Sequence, residues 1–155
     1  MPKAVLRDNH LSRLLGGSFL SEDEDGEIFA QATGFLSKPK DNGCPSYNCL
    51  EILSAERKQQ IKNVRELQRL KLGANAKFAI LKVDDVLTKI ELEINPDPPV
   101  LVLHDELEAC SEYPADPSHC IMTNIPQKSG ELSPQDELYG DLIAECVTEF
   151  YPARE

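Results

Sequence analysis

The chain has no tryptophan, and only 6% of its 155 residues are aromatic. Stacking platforms for unpaired bases are therefore scarce, which argues against sequence-tolerant binding of single strands. No apolar run approaches the roughly 18 residues that a membrane span requires. The start, Met1-Pro2-Lys3-Ala4-Val5-Leu6-Arg7, lacks the apolar core and cleavage pattern of a secretory leader, so a cytoplasmic location is expected. Gly-x-Gly-x-x-Gly and Gly-Lys-Ser/Thr phosphate loops are missing. Gly16-Gly17-Ser18 holds the sole glycine pair and reads as a turn.

Paired metal ligands are missing as well. The five cysteines are odd in number and irregular in spacing: Cys44 and Cys49 are separated by four residues, Cys110 and Cys120 by nine. Neither spacing makes a zinc knuckle, and His119 beside Cys120 points to the opposite face of a strand. Reduced thiols, no metal and no cofactor are the expectation. A Cys44–histidine nucleophile pair is conceivable, but no local signature supports it.

What the chain has in excess is negative charge, with 27 acidic against 16 basic residues and a net charge of −11. That balance disfavours nucleic acid and anionic membranes and suits a protein partner with a basic surface. Hydrophobic residues make up 41% and charged residues 28%, ordinary for a globular chain, and the length suits one domain over 1–155.

Along the chain, Glu22-Asp23-Glu24-Asp25-Gly26 reads as an acidic turn, with a short strand following within 27–37. The breaker-rich 38–46 is a loop. A helix is expected from Ser54, as N-cap, to Leu72, with Gly73 at its C-terminal cap. Its outer face carries a basic stripe, Lys58, Lys62, Arg65 and Arg69. Strands are expected at 77–83, 88–94, 100–103 and 118–122, the second from the alternation in Thr88-Lys89-Ile90-Glu91-Leu92-Glu93-Ile94. A second helix begins at Ser133-Pro134 and runs to Phe150, stopped by Pro152. Two principal helices with a mainly antiparallel or mixed sheet of four to five strands make the fold class α+β.

Three segments, Asp25-Gly26-Glu27-Ile28 with Gly34-Phe35, Pro39-Lys40-Asp41 through Ser46 to Leu50-Glu51, and Asp116-Pro117-Ser118-His119-Cys120-Ile121, together resemble a family of small bacterial proteins with no assigned activity. The resemblance implies that Lys40, Asp41, Ser46, Glu51 and His119 share one surface.

Two functions are consistent with these features, the first favoured because no nucleophile signature, metal set or phosphate loop is recognisable. One is a non-enzymatic interaction or accessory module that binds a protein partner through Lys58, Lys62, Arg65 and Arg69. The other is a small enzyme acting on a nucleotide or nucleic-acid substrate, with His119 as acid–base group and Ser46 and Glu51 as its companions. The discriminating feature is whether His119 lies in a concave site with Ser46 or Glu51 converging on it.

Overall fold

The computed structural model describes residues 2–128 and 132–154. Its centre is a six-stranded sheet in the order β6-β7-β4-β1-β5-β8, with every pairing antiparallel. The strands are β1 (His10–Leu15), β4 (Ser46–Cys49), β5 (Lys77–Lys82), β6 (Val102–His104), β7 (His119–Met122) and β8 (Val147–Pro152). A separate hairpin joins β2 (Leu20–Glu22) to β3 (Ile28–Ala30). Its acidic tip folds around Asp23, whose Oδ1 accepts from the amides of Asp25 and Glu27 at 2.9 Å each, while Gly26 takes φ +79°. That left-handed conformation suits glycine, as the Asp-Gly pair implied.

Three helices flank the sheet: α1 (Arg57–Leu67), α2 (Val83–Glu93) and α3 (Pro134–Glu145). The larger core lies on one face, where Leu11, Tyr47, Cys49, Ala79, Leu81, Cys120 and Met122 meet α2 and α3. On the opposite face Phe78 and Ile80 pack with Ile61 and Val64 of α1 and with Leu50. Both faces of β5 are thus buried, which explains its uninterrupted apolar run. The α+β class holds, with a larger sheet and one more helix than the sequence suggested.

That extra helix replaces the strand expected at 88–94. Val83, Val86, Leu87 and Ile90 are all buried at helical spacing, whereas Leu92 is 78% exposed. The alternation in 88–94 was real, but burial follows the 3.6-residue period that begins at Val83. Asp84 and Asp85 in the first turn suit the positive end of the helix dipole.

The two expected helices are shorter than their patterns. In α1 the N-cap is Glu56, and Ser54 lies upstream, its Oγ accepting from the Glu56 amide at 3.2 Å. The helix ends at Leu67 because Gln68 turns extended (φ −65°, ψ 126°), so neither Arg69 nor Gly73 belongs to it. In α3 Ser133 caps as expected, its Oγ accepting from the Asp136 amide at 3.1 Å. The helix stops at Glu145, however, and Val147–Pro152 pairs with β5 as an edge strand. Val147, Thr148, Phe150 and Tyr151 are β-favouring residues, and the free edge of β5 supplies backbone partners that a continued helix would forgo.

Candidate functional site

The smaller core covers only part of its face. Beyond it, toward β4 and β7, the same face is polar and forms a cleft of about 220 Å³. The strand registers explain which side chains reach it. Ser12 stands opposite Asn48, Asn48 opposite His119, and Ser46 opposite Ile121. Directly opposed residues share a face, and their diagonal neighbours lie within reach of longer side chains. Ser46 and His119 are such a diagonal pair, and the His119 Nε2 to Ser46 Oγ distance is 3.0 Å.

The imidazole is held from behind. His119 Nδ1 lies 2.8 Å from the backbone oxygen of Asp105 and 3.3 Å from its Oδ2. The Asp105 amide in turn donates to the His119 carbonyl at 2.9 Å. A carbonyl and a carboxylate only accept, so Nδ1 is the donor on that side, and Nε2 is the ring atom that faces the Ser46 hydroxyl. The His119 side chain is 14% exposed, while Ser46 is open to solvent.

Below this pair lies a buried polar network. Asp116 Oδ1 accepts from the Ser118 amide at 3.0 Å and from Ser118 Oγ at 2.6 Å. Asn48 Nδ2 donates to Asp116 Oδ2 at 3.0 Å and to Ser118 Oγ at 2.8 Å. Gln68 Nε2 closes the chain by donating to Asn48 Oδ1 at 3.3 Å. Within Asp116-Pro117-Ser118-His119, the first and third residues form the support and the fourth faces the cleft.

The rim is cationic. Lys38 and Lys40 flank Pro39 on a short 3-10 turn, and Asp41 accepts from the Lys38 amide at 2.8 Å. Burial, followed by the nearby charges of Arg13 and Lys40, lowers the Lys38 pKa. Arg13 is only 8% exposed and follows Ser12, the last β1 residue in the β1–β4 register. It donates to the carbonyls of Gly34 (3.2 Å) and Ser46 (2.8 Å), with its guanidinium 5.4 Å from the Tyr47 ring centroid. Arg69 donates to the carbonyls of Glu108 (2.7 Å) and Pro114 (3.0 Å) from the far side.

The structure thus brings Lys40, Asp41, Ser46 and His119 to one cleft and leaves Glu51 out of it. Glu51 instead accepts from the His10 amide and lies 2.7 Å from His10 Nδ1, at the start of β1. The basic stripe divides. Lys58 and Lys62 are exposed on α1, Arg65 binds the Pro152 carbonyl at 2.7 Å, and Arg69 belongs to the cleft.

Asp105, Ser12 and Arg13 were not singled out from the sequence. Asp105 lies beyond the end of β6 and meets His119 only through the β6–β7 pairing. Ser12 and Arg13 belong to β1, a strand whose Leu11, Arg13 and Leu15 face inward and whose central charge masks its alternation. All five cysteines are free thiols, and among the described residues no three His, Cys, Asp or Glu side chains cluster as metal ligands. No described helix is long and apolar enough to cross a membrane. Comparison of the chain with protein-family models, with curated proteins and with solved structures gave no match.

Proposed function

We propose that this chain is a small hydrolytic enzyme in which Ser46 is the nucleophile and His119 its general base. The observation that carries the reading is the 3.0 Å contact between His119 Nε2 and Ser46 Oγ at a solvent-open cleft, with Nδ1 fixed by Asp105. A serine hydroxyl is a poor nucleophile until an adjacent base removes its proton, and the base needs a third group to set its tautomer.

In this mechanism Ser46 Oγ attacks an electrophilic carbonyl or phosphoryl centre as its proton passes to His119 Nε2. The resulting imidazolium is stabilised by the Asp105 carboxylate. The leaving group takes that proton as its bond to the substrate breaks. Water, deprotonated by His119, then attacks the covalent ester on Ser46, and the proton returns to Ser46 as the ester bond opens.

The test is reaction with a fluorophosphonate, which phosphonylates activated serines with loss of fluoride. Peptide mass spectrometry is expected to place one adduct on Ser46, absent in Ser46→Ala and slowed about 100-fold or more in His119→Asn, the scale of general-base assistance. A folded wild-type protein that takes no adduct at Ser46 would exclude the nucleophile role.

The interaction-module reading retains one favourable observation, the exposure of Lys58 and Lys62 on α1. It is weakened because Arg65 and Arg69 are engaged with backbone carbonyls.

A further inference from the structure

We infer that the cleft beside Ser46 is a phosphate subsite, so that the substrate of the proposed hydrolase carries a phosphate dianion held by Lys38, Lys40, Ser12 and the Nε–H of Arg69. The inference rests on the proposed hydrolytic reading for the word substrate. The subsite itself rests on separate observations.

The first is uncompensated charge. Four basic residues line the cleft (Arg13, Lys38, Lys40 and Arg69) against two acidic ones, Asp41 and Asp116, in a chain of net charge −11. The two carboxylates hydrogen-bond to neutral donors, Asp41 to the Lys38 amide and Asp116 to Asn48 and Ser118, so the lining keeps an excess of positive charge. Among the described residues, none of the four cations forms a salt bridge. Buried charges are normally paired, because desolvation of an isolated ion is costly. Arg13, at 8% exposure, has two neutral carbonyls and an aromatic face where a carboxylate would be expected.

The second observation is unsatisfied donors. Ser12 is 1% exposed and lines the cleft, and its Oγ is one of three buried side-chain polar atoms without a hydrogen-bond partner among the described residues. Arg69 Nε, also at this cleft, is another. Two orphaned donor groups at one small hollow, where unmet polar groups are ordinarily rare, call for an acceptor-rich occupant.

The third is the number and type of donors. Two ammonium groups, a hydroxyl and the Arg69 Nε–H, with the Arg13 guanidinium close behind them, carry more positive charge than one carboxylate neutralises, whereas a phosphate dianion offers three terminal oxygens and twice the charge. A cleft of about 220 Å³ takes a small phosphorylated molecule and excludes a duplex.

Phenyl phosphate and benzoate, titrated calorimetrically into the full chain at matched ionic strength, test this directly. Phenyl phosphate is expected to bind at least ~10-fold more tightly than benzoate, a difference of about 1.4 kcal/mol. Replacing both exposed lysines (Lys38→Gln, Lys40→Gln) should weaken it by ~10-fold or more and leave the melting temperature unchanged. Ser12→Ala should weaken it by about 3-fold, within the range of one neutral hydrogen bond.

Benzoate binding as tightly as phenyl phosphate, or an unchanged affinity in the Lys38/Lys40 variant, would overturn the inference. Fluorophosphonate labelling separates it from the hydrolase reading. Binding through Lys38 and Lys40 with Ser46 unlabelled keeps the subsite and removes the nucleophile. Labelling of Ser46 in a protein that binds phenyl phosphate no more tightly than benzoate removes the subsite alone.

Discussion

Replacing Asp116 by alanine tests whether the buried network beneath the cleft holds both the fold and the site. Asp116 is 3% exposed and accepts from the Ser118 amide, Ser118 Oγ and Asn48 Nδ2 at 3.0, 2.6 and 3.0 Å. Hydrogen bonds to a charged acceptor contribute about 1.5–3 kcal/mol each, but burial of the carboxylate itself opposes part of that gain. Asn48 Nδ2 retains Ser118 Oγ as an acceptor, so two donors, both on Ser118, are left unmet. The net loss expected for Asp116→Ala is therefore about 3 kcal/mol. With no tryptophan in the chain, urea unfolding is best followed by far-UV circular dichroism. A cycle with Ser118→Ala should show a coupling of about 1–2 kcal/mol, because the two side chains share a direct contact. Fluorophosphonate labelling of Ser46 should also slow, since Ser118 directly precedes His119. A loss below about 1 kcal/mol, or additive single variants, would mean that the network is not a cooperative unit.

Two further outcomes follow from the packing. Gly140→Ala should destabilise by about 1–3 kcal/mol although alanine is the better helix former, because the new Cβ would stand against the Ala32 carbonyl group, 2.8 Å from its carbon; a higher melting temperature would show that α3 can shift away from 32–35. Cys146 is 5% exposed, and burial pushes its thiol from 9.0 to about 11, so its contribution is present below pH 9 and is lost as pH rises toward 11, where the unfolded thiolate is favoured. Two pKa units correspond to roughly 3 kcal/mol, and urea midpoints at pH 8 and 10.5 should show a steeper decline for wild type than for Cys146→Ala; parallel declines would refute the assignment.

Local chemistry read well where one signal dominated. Asp25-Gly26 predicted the left-handed residue of the hairpin tip, and Ser133-Pro134 predicted the start of α3. The end of α3 was illegible because Cys146, Val147 and Phe150 continue an apolar helical face, and only a long-range partner, the edge of β5, diverts them into β8. The region 88–94 failed for the opposite reason: its alternation is local, while the period that burial obeys starts at Val83. At the site, His119 and Ser46 were accessible as residues, but their contact depends on the β4–β7 register. Glu51 was placed on that surface by the resemblance, but the strand between it and Ser46 carries it to His10.

The placement of Ser46 and His119 on neighbouring hydrogen-bonded strands has a consequence for preorganisation. Their separation is set by the spacing of a β-ladder, which is common to all antiparallel pairs and does not depend on a mobile loop closing. The third member, Asp105, follows the end of β6 and is 52% exposed in its side chain. In the proposed mechanism, changes to the Asp105 side chain would therefore tune Ser46 reactivity while the ladder that spaces the pair stays in place. Conversely, either member of the pair can be exchanged while the backbone that would position its replacement stays in place.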